Sequence, residues 1–185
     1  MGNIIDILRS VVTNGIFIQA LGFLGMFVQI FSMQSKEYKK VIGMTISGEL
    51  IFGFQLLLLG GITGAATNFA ACITNIIYFI RIRQKKSTTV FQVIFGILFV
   101  AIGLLTWEGP LSLLVIAAKL VSTVSYGMKD TKIIRRLKLI SMPLWLIYDV
   151  LHFSIGGMLN DLMVITSTVI GIIRLDIKRE EKTES

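Results

Sequence analysis

Long apolar stretches alternate with short polar ones along the chain. A helix crosses the hydrocarbon core of a bilayer with roughly 17–25 mostly apolar residues. Stretches of this kind predict seven transmembrane helices: Gly15–Met33, Val41–Gly60, Thr63–Ile82, Thr89–Thr106, Pro110–Gly127, Leu139–Gly156 and Met158–Leu175. Glycine pairs separate the second from the third stretch and the sixth from the seventh, so each of these pairs is predicted to form a tight helical hairpin.

Composition agrees with a membrane protein. Mean hydropathy is +0.80 and charged residues make up 16% of the 185 residues, well below the roughly 25% usual in soluble domains. The net charge of +7 comes from short basic blocks between apolar runs, which indicates membrane topology and a lipid partner rather than nucleic acid. A single cysteine, Cys72, excludes an intrachain disulfide, and we expect no metal and no cofactor.

The basic blocks predict the orientation. The first, third and fifth connections and the carboxyl-terminal tail carry Lys36, Lys39, Lys40, Arg81, Arg83, Lys85, Lys86, Lys129, Lys132, Arg135, Arg136, Lys138, Arg174, Lys178, Arg179 and Lys182. The second, fourth and sixth connections carry no Lys or Arg. Seven helices therefore put every block on one face, which predicts an outside amino terminus and a cytoplasmic carboxyl terminus.

An internal repeat is predicted at an offset of about 93 residues. It pairs Val28 with Val121, Ser32 with Ser125, Lys36 with Lys129, Lys39 with Lys132, Ile62 with Ile155, Gly64 with Gly157 and Arg81 with Arg174. The chain then divides into an interfacial segment at 1–14, a three-helix repeat at 15–82, a linker loop and helix at 83–106, a second repeat at 107–175 and a disordered cytoplasmic tail at 176–185. Three helices in each half make the two repeats parallel, with a substrate path between them.

Three segments carry a family resemblance: QALGFLGMFVQIFSMQSKEYKK, SGELIFGFQLLLLGGITGAATNFAACITNIIYFIR and PLWLIYDVLHFSIGGMLNDLMVITSTVIGIIR. They resemble the bacterial inner membrane protein YgjV family. That family is similar in turn to the SWEET, PQ-loop and PnuC-type transporters. The resemblance implies an all-α integral membrane protein of the bacterial inner membrane, with seven transmembrane helices in a 3+1+3, SWEET-like arrangement of two parallel three-helix repeats.

Ionisable residues inside predicted spans are candidates for function because they are costly in hydrocarbon. Lys119 lies near the middle of the fifth span and Asp149 near the middle of the sixth, so we expect them to form an ion pair. Glu49 and His152 could join this cluster. A carboxylate beside an imidazole suits a proton-coupled carrier, which makes Asp149, His152 and Glu49 candidate coupling residues.

Each of these interpretations has a structural alternative. The Lys119 pair would then only lock helices together, and His152 would be a hydrogen-bonded packing residue. Glu49 would pair with Lys39 or Lys40 at the interface.

Further polar and aromatic residues are candidate solute ligands. By resemblance to the transporters above, Asn75 and Thr168 on the third and seventh spans would line the substrate cavity at mid-depth. Trp145 and Tyr148 flank Asp149 and could stack on a solute ring. The alternatives are hydrogen bonding between helices for the polar pair and lipid or helix packing for the aromatic pair. Trp107 with Glu108 is predicted to be an interfacial anchor.

The sequence favours a small-solute transporter whose candidate binding residues are Asn75, Thr168, Lys119, Asp149, Trp145 and Tyr148. The alternative is a membrane scaffold or partner subunit whose polar groups only fix helix packing. No HExxH, GxSxG or paired-aspartate motif is present, so we do not expect an enzyme. The sequence does not decide whether the protein forms a homo-oligomer, nor which small polar solute it would bind.

Overall fold

The computed structural model describes residues 15–177, which form seven α-helices followed by one π-helical segment. In chain order they are α1 (Gly15–Met33), α2 (Tyr38–Leu59), α3 (Ile62–Arg83), α4 (Thr89–Leu105), α5 (Leu111–Tyr126), α6 (Thr131–Leu151), α7 (Ile155–Gly171) and the π-helix (Ile172–Ile177). No strand occurs in this range. The predicted interfacial segment at 1–14 and the tail beyond Ile177 lie outside the described residues.

The sixth helix differs most from its predicted bounds. It begins at Thr131 rather than Leu139 and ends at Leu151 rather than Gly156. Its first turns hold Arg135 and Lys138, which are buried because they have partners inside the protein. A hydropathy pattern assigns such charged residues to a loop, and for that reason the predicted start was wrong.

Large apolar side chains cover the outer surface, whereas most charged side chains within the central parts of the helices are buried. By length and composition, four helical stretches are able to cross a membrane: Gly15–Met33, Tyr38–Leu59, Ile62–Arg83 and Ile155–Asp176. Helices α4 and α5 are shorter but also apolar. Phe31 and Ile97 are more than 60% exposed, whereas Glu49, Lys119 and Asp149 are at most 6% exposed. This distribution suits a lipid environment, because charges avoid the lipid-facing surface.

Six helices surround a common interior. Helix α1 packs against α2 and α7, α2 against α3, α5 against α6, and α6 against α7. Helix α3 contacts α5, which closes the ring, and α4 lies outside against α3 and α5. The interior is therefore bounded by the first three helices and the last three.

The connections fall on two faces. We call the face with the α1–α2, α3–α4 and α5–α6 connections the basic face, since these connections carry the lysines and arginines. There the Tyr38 hydroxyl donates to the backbone carbonyl of Tyr126 at 2.7 Å, and the Thr88 hydroxyl to that of Gly127 at 2.6 Å. The α2–α3, α4–α5 and α6–α7 connections meet on the opposite face.

Glu108 holds the opposite face together. Its carboxylate accepts from the backbone N–H groups of Ile62 at 2.7 Å and Thr63 at 2.9 Å, and from the Tyr148 hydroxyl at 3.1 Å. It thus caps the free N–H groups at the start of α3. Burial alone would raise the pKa of Glu108, but the hydrogen bonds from Thr63, Ile62 and Tyr148 together outweigh it and hold this pKa below the ordinary 4.5. Glu108, predicted to be an interfacial anchor, thus also joins the α4–α5 connection to the start of α3 and to Tyr148 of α6.

Two glycines let α1 and α7 approach closely. A Cβ atom on Gly156 would lie 2.5 Å from the Cα atom of Gly22, so any side chain there meets backbone. Such a contact cannot be relieved by turning a flexible side chain. The pair therefore sets the distance between the first and last helices of the ring.

We expect Gly156→Ala to destabilise the protein by about 1–3 kcal/mol, because α1 and α7 must move apart. Gly43→Ala is the matched control, since a Cβ atom at this exposed helical position has no neighbour within 4 Å. The control should leave the melting temperature unchanged or slightly higher. Equal melting temperatures for the two variants in detergent would contradict the close glycine contact.

Candidate functional site

A central cavity of about 50 Å³ lies inside the ring of helices. Residues from both the first and the last three helices line it, whereas α4 contributes none. Its charged lining residues are Glu49, Lys119, Lys138, Asp149 and Asp161. The volume accommodates a few water molecules, and ligand pockets of roughly 300–1,000 Å³ are far larger. The interior is therefore polar and closed in this conformation.

Lys119 and its partners form the first of two polar clusters around the cavity. The Lys119 ammonium lies 3.3 Å from Glu49 Oε1 and donates to Asn68 Oδ1 at 2.8 Å. The Asn75 amide donates to Glu49 Oε2 at 2.8 Å. We call these four residues the lysine cluster. It joins α2, α3 and α5, and each of its four residues is at most 6% exposed.

The predicted ion pair between Lys119 and Asp149 is wrong, because the counter-ion of Lys119 is Glu49. Matching depth along two helices does not fix which faces they turn toward each other, and Glu49 of α2 points inward at that depth. The alternative pairing of Glu49 with Lys40 is wrong as well. Lys40 instead contacts Glu37 at 2.9 Å on the surface.

The second group, which we call the aspartate cluster, consists of Gln29, Asp149, Asn160 and Asp161 on α1, α6 and α7. The Asn160 amide donates to Asp161 Oδ1 at 3.0 Å. One oxygen of each residue has no hydrogen-bond partner among the described residues: Gln29 Oε1, Asp149 Oδ1, Asn160 Oδ1 and Asp161 Oδ2. Buried acceptors without donors are rare in folded proteins. This cluster therefore has unused capacity for a donor or a cation.

The start of α7 positions Asp149. The Ser154 hydroxyl accepts from the Gly157 N–H at 3.2 Å and so caps the helix. A Cβ atom on Gly157 would lie only 2.1 Å from Asp149 Oδ2, so the carboxylate occupies the space that any other side chain would fill. Gly156 and Gly157, predicted to separate two spans, belong to the first turn of α7.

The candidate aromatic residues separate. Trp145 lines the cavity, and the Lys119 ammonium lies 5.3 Å from the centre of its ring. Tyr148 is not among the lining residues. Its hydroxyl accepts from the Gly64 N–H at 3.1 Å and bonds to Glu108 on the opposite face. Trp145 alone of this pair is thus placed to contact a solute in the cavity.

The remaining candidates lie outside the cavity lining. His152 packs on the Tyr148 ring with 4.1 Å between ring centres, and its Nδ1 atom lies 3.0 Å from the Tyr148 carbonyl. The Asn75 amide donates a hydrogen bond to Glu49, which does line the cavity. Thr168 is fully buried, and its hydroxyl has no partner among the described residues. His152, Asn75 and Thr168 are thus not among the residues that line the cavity.

Further buried polar contacts lie between the cavity and the basic face. The Lys138 ammonium donates to the Tyr126 hydroxyl at 2.6 Å. Arg135 forms a buried ion pair with Asp176 of the π-helix, and its guanidinium reaches the Ser35 carbonyl at 3.5 Å. Asp176 was predicted to begin the tail, yet it is 1% exposed.

Polar contacts also lie on the opposite face. Besides the bond between Tyr148 and Glu108, the Ser154 hydroxyl donates to Gln55 Oε1 at 3.3 Å. The Gln19 amide donates to the Phe153 carbonyl at 3.3 Å. The bonds of Ser154 and Gln19 join the first three helices to the last three on this face.

One helical stripe contained a signal that sequence reasoning missed. Along α6 the buried inward residues are Arg135, Lys138, Met142, Trp145 and Asp149, which recur at intervals of three and four. This spacing places them on one helix face. Because Arg135 and Lys138 were counted as charges of a basic loop, their role inside the protein was missed.

Comparison with known proteins identifies one family. The model of the family Imp-YgjV, described as a bacterial inner membrane protein, matches residues 16–179. No curated protein and no solved structure matches the chain.

A double-mutant cycle tests the partner of Lys119. Removing one member of a buried ion pair typically costs about 3–5 kcal/mol, because the other charge is left unpaired. We expect Lys119→Met and Glu49→Gln each to lower the free energy of unfolding, and the double variant to lose clearly less than their sum. The matched cycle pairs Lys119→Met with Asp149→Asn and should be closer to additive. A larger coupling energy with Asp149 than with Glu49 would refute the assignment.

Proposed function

The chain belongs to the Imp-YgjV family of bacterial inner membrane proteins, and on that premise we propose that it is a small-solute transporter with its binding site in the central cavity. A multi-pass protein of the inner membrane has a bilayer around its apolar surface. The closed polar cavity between the first and last three helices is the observation that carries the proposal. Charged groups at membrane depth are expensive, and carriers use them at such sites.

The proposed topology is seven spans in a 3+1+3 arrangement of two parallel repeats, with the amino terminus outside and the basic face cytoplasmic. Equivalent hydrogen bonds support it. The Ser32 hydroxyl donates to the Val41 carbonyl at 3.1 Å, and the Ser125 hydroxyl, at the matching offset, to that of Ile134 at 3.5 Å. Repeat positions also share backbone geometry. Gly60 and Phe153, which lie in the turns of the α2–α3 and α6–α7 hairpins, both have a positive φ, of 86° and 53° respectively.

Transport requires the two closures to open in turn. On the basic face the two repeats are joined by Arg135 with the Ser35 carbonyl and by Tyr38 with the Tyr126 carbonyl. On the opposite face they are joined by Ser154 with Gln55 and by Tyr148 with the Gly64 N–H. A cavity of about 50 Å³ is too small for a sugar-sized molecule, so the closed state must expand when a solute enters. Rocking of one repeat against the other provides such a motion in parallel-repeat carriers.

The cavity chemistry favours a small polar solute. At one side of the cavity, the Lys119 ammonium is a hydrogen-bond donor and the Asn68 amide is both a donor and an acceptor. Trp145 adds an aromatic ring. Asp149 provides a carboxylate at the other side. We assign ion coupling to Asp149 and not to His152, because His152 lies with Tyr148 outside the cavity. Glu49, which also lines the cavity, positions Lys119, and Asn75 positions Glu49.

A scaffold or partner subunit is the second candidate. It is favoured by the contacts of Lys119, whose ammonium already has Glu49 and Asn68 as partners within the protein. In that case the lysine cluster would only fix helix packing and no solute would bind. For either candidate we propose no catalytic role.

A thermal-shift screen followed by liposome uptake separates the two candidates. We expect one class among sugars, nucleosides, vitamin precursors, amino acids and organic acids to stabilise the purified protein. At about 100 times its Kd it should add roughly 2.7 kcal/mol. Lys119→Met should abolish this shift and the uptake of the same compound, whereas the exposed control Lys40→Met should retain both. If no compound stabilises the protein and none is taken up, the scaffold is supported instead.

A further inference from the structure

The central cavity has an uncompensated negative charge. Three carboxylates line it, those of Glu49, Asp149 and Asp161, against the two ammonium groups of Lys119 and Lys138. Glu49 is matched by Lys119, its direct partner. Two carboxylates then share the one remaining ammonium, so a single positive charge is missing. An isolated charge in a buried site is unfavourable unless something neutralises it.

The missing charge belongs to the aspartate cluster rather than to the lysine cluster. The Lys138 ammonium donates to the Tyr126 hydroxyl, so it is held toward the basic face. Asp149 and Asp161 each keep one oxygen without a partner among the described residues. Gln29 and Asn160, 5% and 6% exposed, add one unpartnered amide oxygen each from α1 and α7. Four residues that line the same cavity thus each have one buried acceptor oxygen without a partner among the described residues.

The two clusters occupy corresponding places in the proposed repeat. The lysine cluster joins α2, α3 and α5, and the aspartate cluster joins α6, α7 and α1. At the offset of about 93 residues, Asn68 corresponds to Asp161. Asn68 accepts from the Lys119 ammonium. The position of Lys119 itself corresponds to Met26 in α1, so the second cluster has oxygen ligands but no ammonium of its own.

We propose that the aspartate cluster binds one sodium ion, with Gln29 Oε1, Asp149 Oδ1, Asn160 Oδ1 and Asp161 Oδ2 as its oxygen ligands. Hard cations prefer carboxylate and carbonyl oxygens. A proton shared by the two carboxyl groups would satisfy two of the four oxygens, whereas a metal ion can satisfy all four. One missing charge selects a monovalent ion. Within residues 15–177 no group of three or more His, Cys, Asp or Glu side chains is arranged to hold a metal, which argues against a multivalent one.

As a coupling site this sodium ion rests on the proposed transporter function, because it would sit in the same cavity as the solute. Occupancy would tie α1, α6 and α7 together on one side of the ring. Binding of the ion can nevertheless be measured without any solute. The two proposals can therefore fail separately.

The test compares purified protein in sodium chloride, potassium chloride and choline chloride at constant ionic strength, without solute. We expect sodium to raise the melting temperature by roughly 3 °C or more over choline, and radioactive sodium to bind with one ion per chain. Asp161→Asn should lose both signals, while Glu37→Gln, which changes an exposed carboxylate, should keep them.

Equal melting temperatures in sodium and choline, or no saturable sodium binding to the unmodified protein, would overturn the proposal even if Asp161→Asn fails to fold. Stabilisation in choline on lowering the pH, with no effect of sodium, would assign the site to a proton and also overturn it. The solute screen is run in both salts. A solute that stabilises the protein equally in each would leave the transporter proposal standing without the sodium site.

Discussion

A charged group surrounded by lipid-facing helices must find its counter-charge within the protein, and this constraint organises the interior of the molecule. Lys119 satisfies it through Glu49 and Asn68, which ties α5 to α2 and α3. Those contacts cross from the second half of the chain to the first. The position of the cavity follows, because the remaining polar groups are excluded from the lipid-facing surface and collect around the same centre.

The two clusters differ in how completely they are satisfied, and that difference carries the functional argument. The ammonium of Lys119 and both carboxylate oxygens of Glu49 have partners. Asp149 and Asp161, which line the same cavity, each keep one oxygen without a partner among the described residues. A purely structural polar core gains nothing from such unused acceptors, because each one costs desolvation energy. A binding site has a use for them, since a ligand or an ion satisfies them on arrival.

Much of the fold could be predicted from the sequence, because hydropathy reports on the lipid-facing surface. Helix α1 has its predicted bounds, and α3, α4 and α5 end within a residue or two of theirs. The start of α6 could not be predicted in this way. Arg135 is polar by composition yet buried by its pairing with Asp176, which lies far along the chain.

Prediction of the site was less complete, for a related reason. Four cavity residues could be identified from the sequence, because charged and aromatic side chains are conspicuous within apolar spans: Lys119, Glu49, Asp149 and Trp145. Their pairing could not be predicted, because the depth of a residue along a helix does not tell which way the helix is rotated about its axis. Lys119 is paired with Glu49. Tyr148 shares α6 with Trp145 but contacts Glu108, a loop residue whose role as a cap depends on how the opposite-face connections meet.

Access to the cavity from both sides of the membrane is the central claim, and cysteine labelling measures it most directly. Ser122→Cys, in a Cys72→Ala background, places the chain's single thiol on the cavity wall. A membrane-impermeant thiol reagent is then applied to right-side-out and to inverted vesicles, with Lys40→Cys reporting the orientation. An alternating carrier predicts labelling of residue 122 from both sides. Labelling from neither side, with Lys40→Cys labelled normally, would contradict the account.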